Sequence, residues 1–255
     1  MTTLLLVRHG ETDWNHEGRV QGWAAAELTD RGREQAQALG AWLGGAHTVD
    51  RVRSSDLERT RATTATVRET AGGLPAPELD PSLRERGFGV YQGFLAEEVV
   101  DRFPDHDRSN SILTLGVDPL NGESVGAFID RVERAWQGVT DAVADGETAV
   151  VVTHGGVLKL IRGLLTDRKP RDALSRSSPP NCRSPRSDST APPNWSALAP
   201  RRGATETAHS ALGYSWPRTS LTTSSPDSSS ELTVPPFALP EAVPWSASPG
   251  LTLPV

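Results

Sequence analysis

The sequence predicts an α/β domain with a layered architecture and a mostly parallel β-sheet. Two unbroken apolar runs, residues 4–7 and 148–153, are typical of central parallel strands that are covered on both faces. Each run is followed directly by a histidine-containing segment, at His9 and at His154. Between the predicted strands lie helical patterns of 12 residues or more, and this alternation favours a sheet with helices packed against it.

The first half of the chain contains three predicted strands and two long helices. Thr29 is a favourable N-cap for the first helix, and Ser54-Ser55-Asp56 is a favourable start for the second. The predicted order is a strand at residues 4–7, a helix from Thr29 to Gly44-Gly45, a strand at residues 49–54, a helix from residues 54–56 to about residue 71, and a short strand at residues 78–80.

The second half contains the clearest helix and the clearest strand. Apolar residues recur at helical spacing from Ser124 to about residue 144, and a second apolar helix lies directly behind the strand at residues 148–153. The predicted order is a small helix at residues 96–103, a helix at residues 124–144, the strand at residues 148–153 and a helix at residues 157–165.

The composition changes sharply near residue 170. Residues 171–255 contain 14 of the 20 prolines and 17 serines, and apolar residues recur there at no clear period. Such a composition is typical of segments that do not pack into a core. The sequence therefore predicts one folded domain at residues 1–170 and a disordered, Pro/Ser-rich tail at residues 171–255.

Charge and cysteine content exclude several classes of function. The first 170 residues carry 19 basic and 26 acidic residues, which argues against nucleic-acid binding. The single cysteine, Cys182, excludes an internal disulfide framework and a cysteine-rich metal site. No apolar run is long enough for a signal peptide or a membrane span. We therefore expect a cytoplasmic protein, a monomer or homodimer, with no membrane or nucleic-acid partner.

The two strand-end histidines suggest phosphate chemistry without a metal or other cofactor. Such chemistry needs a nucleophile, cations on the phosphate oxygens and an acid for the leaving group. His9 is a candidate nucleophile, which the neighbouring Arg8 would help to keep neutral. Arg59, near a predicted helix N-terminus, and His154 are candidate phosphate ligands. Glu85 is a candidate acid, and the expected substrate is a small phosphorylated molecule.

The order of these residues resembles the pattern of the histidine phosphatase superfamily, which includes the cofactor-dependent phosphoglycerate mutases. The resemblance covers residues 3 to about 168. Its blocks are Arg8-His9-Gly10-Glu11-Thr12 with Asn15, Gln21-Gly22, residues 28–36, Ser54-Ser55-Asp56-Leu57 with Arg59-Thr60, Leu83-Arg84-Glu85 with residues 88–93, Gly122-Glu123-Ser124, and Val152-Thr153-His154-Gly155-Gly156.

The resemblance implies a fold and a set of roles. The implied fold is the three-layer α/β/α sandwich of the phosphoglycerate mutases. The implied chemistry is a phosphohistidine on His9 and a proton donated by Glu85. The implied phosphate pocket is formed by Arg8, Arg59 and His154, and the implied substrate-binding residues are Asn15, Gln21, Gly22 and Gly155.

The end of the chain departs from the family pattern. Relatives often continue with an Asn-Cys-Ser-type strand that completes the sheet, whereas Asn181-Cys182 is followed here by Arg-Ser-Pro-Arg. An out-of-frame reading of GC-rich DNA would produce such text, so a frameshifted tail is one hypothesis. Loss of the strand would expose a sheet edge and impair the enzyme.

Hydrolysis is the favoured reaction, and two other activities stay open. The mutases of the family insert a longer segment before the second histidine to shield the phosphoenzyme, whereas only 68 residues separate Glu85 from His154. Water should therefore reach the phosphohistidine, although mutase-type phosphoryl transfer remains an alternative. Residues 122–126 also match the G-x-S-x-G motif of serine esterases, with Asp130 and His154 downstream. No strand is predicted before Ser124, which favours a helix N-cap instead.

Overall fold

A computed structural model describes residues 2–103, 112–114, 118–175 and 196–198. The strands are β1 (Thr3–Arg8), β2 (Arg51–Ser54), β3 (Glu78–Leu79), β4 (Thr148–Thr153) and β5 (Ser196–Leu198). The α-helices are α1 (Asp13–Glu17), α2 (Asp30–Ala46), α3 (Glu58–Ala71), α4 (Ala96–Arg102), α5 (Val125–Ala142), α6 (Gly155–Leu165) and α7 (Pro170–Leu174). Short 3₁₀ turns span Pro81–Leu83, Gly89–Tyr91 and Ile112–Thr114.

The sheet has the strand order β3-β2-β4-β1-β5, so β4 lies at its centre. The pairs β1–β4, β4–β2 and β2–β3 are all parallel, which confirms the predicted mostly parallel sheet. At the other edge β5 pairs antiparallel with β1, with Leu198 opposite Leu4. The edge that a missing strand would leave open is therefore paired in the structure.

Alternate residues of the central strands face two separate hydrophobic clusters. Leu5, Val7 and Val150 pack with apolar residues of α2 and α3 on one face of the sheet. Leu4 and Leu6 pack with residues of α5 and α6 on the other face. Burial on both faces explains why these strands appear in the sequence as unbroken apolar runs. The predicted three-layer α/β/α fold is thus confirmed.

The long elements follow the sequence-based predictions closely. Thr29 and Ser124 are the N-caps of α2 and α5, and each hydroxyl accepts a hydrogen bond from the backbone N–H three residues later. The prediction was wrong at the start of the helix after β2. Its first residue is Glu58 and its N-cap is Leu57, without a side-chain cap. The Ser55 hydroxyl makes a different contact, which is described below.

Little of the predicted disordered tail falls within the described residues. Of residues 171–255, the structure describes only 171–175 and 196–198. Ala173 and Leu174 of α7 are buried, and Leu174 belongs to the same hydrophobic cluster as α5 and α6. The packing of the domain therefore continues a few residues beyond position 170.

Two glycines allow α2 to approach the loop that follows β1. A Cβ atom at Gly32 would overlap the carbonyl of Glu11, and one at Gly10 would overlap the carbonyl of Gly32. The same approach is supported by Gln35, whose Oε1 accepts a hydrogen bond of 2.9 Å from the Glu11 N–H. Any larger residue at position 32 would push α2 away from the segment beside His9.

We expect Gly32→Ala to lower the free energy of unfolding by about 2 kcal/mol, because the new methyl group meets backbone rather than flexible side chains. Gly126→Ala is the matched control, since Gly126 also lies in the first turn of a helix but has its nearest neighbouring atom 3.9 Å away. The control should be neutral or stabilising by about 0.5 kcal/mol. Urea denaturation measures both, and equal changes would contradict the close-approach explanation.

Candidate active site

The pairing of β1 with β4 brings the two strand-end histidines together. Arg8 lies opposite Thr153 in the parallel register, so His9 and His154 are the next residues on adjacent strands. The His9 N–H continues the ladder with a 3.0 Å hydrogen bond to the Thr153 carbonyl. Their ring centroids are 5.2 Å apart, and both side chains are buried. The two imidazoles, 145 positions apart in the sequence, therefore face one small volume.

The ring of His9 is held in one tautomer. Its Nδ1 lies 2.7 Å from the carbonyl oxygen of Gly10, and because a carbonyl only accepts, Nδ1 must carry the hydrogen. In the neutral ring the lone pair is then on Nε2. Burial lowers the pKa of His9 well below its ordinary value, and the positive charges of Arg59 and Arg8 lower it further. His9 is therefore a neutral imidazole with an unprotonated Nε2.

His154 is held by a serine from a third strand end. Its Nε2 lies 2.9 Å from the Ser55 hydroxyl, and its buried Nδ1 has no hydrogen-bond partner among the described residues. Burial lowers the pKa of His154 well below its ordinary value, and the positive charge of Arg59 lowers it further. His154 thus presents a neutral ring with one unused nitrogen.

Arg59 brings a buried guanidinium to the site from the first turn of α3. It donates hydrogen bonds of 2.8 Å to the Gly22 carbonyl and 3.2 Å to the Ala24 carbonyl, while its buried Nε has no partner among the described residues. Burial lowers the pKa of Arg59 to about 10, although the nearby Glu85 acts to raise it. Arg59 therefore stays cationic at neutral pH. Arg8, the last residue of β1, adds a second nearby positive charge.

Glu85 lies at the N-terminus of α6. Its Oε2 accepts a 2.9 Å hydrogen bond from the Gly156 N–H, and its Oε1 accepts one of 3.0 Å from the Arg86 N–H. A Cβ at position 156 would overlap the Glu85 carboxylate, so glycine as the second residue of this helix leaves room for the carboxylate in this position. Gly155, the first residue of α6, is also buried. The free N–H groups and dipole of a helix start favour a carboxylate there.

The other predicted site residues, Asn15, Gln21 and Gly22, lie in the segment between β1 and α2. Gly22 has a positive φ of 55°, and its carbonyl accepts from Arg59. Gln21 is buried, and its Oε1 has no partner in the described part of the chain. Asn15 forms a capping box with Thr12, in which Asn15 Oδ1 accepts from the Thr12 N–H and the Asn15 N–H donates to Thr12 Oγ1. Asn15 thus stabilises the turn that follows His9.

Ser124 does not form a nucleophile elbow. Its Oγ accepts a 3.0 Å hydrogen bond from the Ala127 N–H, and the residues before it form a turn with Gly122 bonded to the Pro119 carbonyl. The esterase motif requires a strand at this point, and the described residues have none there.

Sequence reasoning missed Ser55 as a partner of His154. Serine one residue after a strand predicts a helix start, which is its commoner role. The missing information was the strand order. Because β2 pairs with β4 and the Ser55 N–H donates to the Val152 carbonyl, Ser55 lies level with Thr153, next to His154 in the chain.

The arrangement suits a small oxyanion rather than a metal. Within the described residues, no three His, Cys, Asp or Glu side chains are grouped to hold a metal ion. In the same residues, no helix combines the length and apolarity that a membrane crossing requires. Two neutral imidazoles and two guanidinium groups instead converge at the carboxyl ends of parallel strands, where α/β sheets bind ligands. The fold and site define an α/β protein with two paired histidines at the carboxyl ends of adjacent parallel strands.

The chain belongs to the histidine phosphatase superfamily, whose branch 1 model matches residues 4–185. It is 39% identical over 177 residues to phosphoglycerate mutase-like protein 4 of Arabidopsis thaliana, covering 68% of this chain and 76% of that protein. It is 34% identical over 180 residues to a metal-independent phosphoserine phosphatase of the same plant, covering 70% of this chain and 74% of the relative.

Solved structures agree with this assignment. Bacillus stearothermophilus YhfR superposes with a TM-score of 0.65 at 31% identity, covering 84% of this chain and 96% of that one. The α-ribazole phosphatase from Shigella flexneri gives a TM-score of 0.64 at 28% identity, covering 78% of this chain and 91% of its own. The predicted family resemblance is confirmed.

We expect Ser55→Ala to weaken the binding of inorganic phosphate about tenfold, because His154 loses the group that fixes its ring. Ser54→Ala is the matched control: Ser54 is also fully buried, but its hydroxyl bonds to the Ser55 carbonyl and Thr64 rather than to His154. Isothermal titration with phosphate separates the two variants. If both lose affinity equally, the Ser55–His154 contact does not act on the anion.

The two site histidines should also make the fold sensitive to mild acid. Unfolding returns their pKa values to about 6.5, so below that pH the unfolded chain binds protons that the folded chain does not. The free energy of unfolding should therefore fall by up to about 1.4 kcal/mol per pH unit for each histidine between roughly pH 6.5 and 5. Urea denaturation of wild type and His154→Asn across this range measures the slope, which the variant should reduce by about half. An unchanged slope would contradict the assignment of His154 as a buried neutral group.

Proposed function

We propose that this protein is a metal-independent phosphomonoesterase that acts on a small phosphorylated metabolite through a phosphohistidine on His9. The observation that carries the proposal is the fixed tautomer of His9. The hydrogen bond from Nδ1 to the Gly10 carbonyl leaves the Nε2 lone pair available, inside a pocket with two guanidinium groups. An unprotonated nitrogen beside cations is what attack on a phosphate dianion requires.

In the first step, His9 Nε2 attacks phosphorus and the bond from phosphorus to the ester oxygen breaks. Arg8, Arg59 and His154 contact the other three phosphate oxygens and stabilise the charge that they carry in the transition state. Arg59 Nε and His154 Nδ1 suit this role, since both are buried and have no partner within the described residues. Ser55 would orient His154 by donating its hydroxyl hydrogen to Nε2, which places the ring hydrogen on Nδ1.

Glu85 supplies the proton that the leaving alkoxide needs. In its protonated form the carboxyl group donates to the ester oxygen as that oxygen departs, and an alcohol is released. In the second step the Glu85 carboxylate accepts a proton from water while the water oxygen attacks phosphorus. The bond from phosphorus to His9 Nε2 then breaks, which releases inorganic phosphate and restores both residues to their starting states.

The remaining predicted residues would shape the pocket around the phosphate. Gly22 and Gln21 belong to the loop whose carbonyls hold Arg59, and Gly155 begins the helix whose N-terminus holds Glu85. Asn15 would act through the turn that it caps. We propose a cytoplasmic location and a catalytic domain at residues 1–170, to which α7 and β5 add contacts from beyond that boundary.

Hydrolysis is preferred to mutase-type transfer for two reasons. The relatives include proteins named as phosphatases, a metal-independent phosphoserine phosphatase and an α-ribazole phosphatase. In addition, the segment between Glu85 and His154 is short, so little chain is available to shield a phosphoenzyme from water. A relative named as phosphoglycerate mutase-like keeps phosphoryl transfer as the second candidate.

The direct test is hydrolysis of p-nitrophenyl phosphate in the presence of EDTA. We expect turnover to persist in EDTA and to fall about 10³-fold or more in His9→Ala, because the nucleophile is lost. Two variants serve as controls and should retain activity: His16→Ala, on the exposed part of α1, and Ser124→Ala, which removes only a helix cap. Loss of activity with Ser124 but not with His9 would instead support an esterase-type mechanism.

A further inference from the structure

Four consecutive carbonyl groups in the segment that carries Glu85 accept hydrogen bonds from side chains of distant elements. Arg131 donates to the carbonyls of Ser82 at 2.7 Å, Arg84 at 2.8 Å and Glu85 at 3.1 Å. Thr153 Oγ1 donates to the Leu83 carbonyl at 2.8 Å, and Trp23 Nε1 donates to the Glu85 carbonyl at 2.7 Å. The backbone from residue 82 to residue 85 is therefore held at every carbonyl.

Arg131, from α5, makes the largest contribution to this arrangement. Its Nε and Nη2 form a bidentate pair with the Glu123 carboxylate at 2.8 and 2.7 Å, in addition to the three bonds to carbonyls. These contacts use all five N–H donors of the guanidinium group. The two side chains are only 17% and 12% exposed, so the pair is largely shielded from water.

Glu123 extends the same arrangement to the other side of Glu85. Its Oε2 accepts from the Gly87 N–H at 3.3 Å, and its own N–H donates to the Gly87 carbonyl at 2.8 Å. The backbones of residues 82, 84, 85 and 87 are thus hydrogen-bonded to a single ion pair. The ion pair therefore holds the backbone at Glu85 and on both sides of it, at Arg84 and at Gly87.

The Glu85 side chain depends on this backbone for its position. Its carboxylate makes its described hydrogen bonds only to backbone N–H groups, those of Arg86 and Gly156. A shift of the segment would move the carboxyl group relative to the strand ends where His9 lies. Misplacement of a catalytic group by about 1 Å can lower a rate about 100-fold.

We propose that Arg131, held by Glu123, is the positioning residue for Glu85. Accurate placement of the Glu85 carboxyl group matters most for alkyl phosphomonoesters, because their alcohols leave only with a proton. The proposal rests on the proposed function, in which Glu85 protonates the leaving oxygen. Arg131 itself does not touch the substrate. A lysine at this position keeps the charge but cannot reproduce a five-donor planar contact.

The test compares kcat/KM for two substrates that differ in their leaving groups. Ethyl phosphate releases a strongly basic alkoxide, whereas p-nitrophenyl phosphate releases a stable phenolate that needs no proton. Since kcat/KM reports the transfer of phosphate to His9, the ratio of the two values measures how well the acid is placed. The variants are Arg131→Lys, Glu123→Gln and Glu85→Gln. Arg134→Lys is the control, because Arg134 is exposed on the same helix.

We expect Arg131→Lys to lower kcat/KM for ethyl phosphate about 30-fold and that for p-nitrophenyl phosphate less than threefold. Glu123→Gln should show the same selectivity at about tenfold, and Glu85→Gln should show it at about 100-fold or more. Arg134→Lys should change neither value. Thermal melting checks that each variant is folded, and Glu123→Gln decides the outcome if Arg131→Lys does not fold.

Each alternative outcome has a separate meaning. If Arg131→Lys lowers both values equally while Glu85→Gln remains selective, Arg131 has only a structural role and the positioning proposal is wrong. If Glu85→Gln itself shows no selectivity, Glu85 is not the acid and that part of the proposed function fails. Equal selective losses in the Arg134→Lys control would also overturn the proposal.

Discussion

The parallel ladder of β2, β4 and β1 is the constraint on which the site depends. Its register places Arg8 opposite Thr153 and Ser54 opposite Val152, so His9 emerges beside His154 and Ser55 lies level with Thr153, one residue before His154. The chemistry is then determined by which side chains occupy those positions, namely His9, His154 and Ser55. A shift of one strand by one residue would turn these side chains to the opposite face of the sheet.

The burial that lowers the pKa of both histidines also surrounds nearby polar nitrogen atoms. Polar nitrogen atoms of Arg59 and His154 are buried without partners in the described residues, and unpaired buried donors are unfavourable. Burial also lowers the pKa of Arg59 despite the nearby carboxylate of Glu85. A phosphate dianion would relieve both effects, since it accepts from these groups and neutralises their charge. In the proposed function, affinity for the anion would follow from how the cations are held.

The sequence predicted the long elements and the residues that meet at the strand ends, but not the residues that hold them. Apolar runs such as residues 148–153 identify buried strands because both faces are covered, and Thr29 and Ser124 identify helix starts through their cap geometry. The roles of Ser55 and Arg131 could not be predicted from the sequence. Their partners lie 99 and 46–49 positions away, and only strand order and helix packing bring them close.

The segment 122–124 shows how one short pattern can support opposite functional interpretations. Gly122 packs where a Cβ would overlap Pro119, Glu123 holds Arg131, and Ser124 caps α5. In a serine esterase the same letters would place a nucleophile on a strained turn after a strand. Here the three residues link the start of α5 to the backbone around Glu85, because Glu123 bonds to Gly87 through both its main chain and its side chain. The local backbone, rather than the motif, distinguishes a serine nucleophile from a helix cap that lies next to the segment of Glu85.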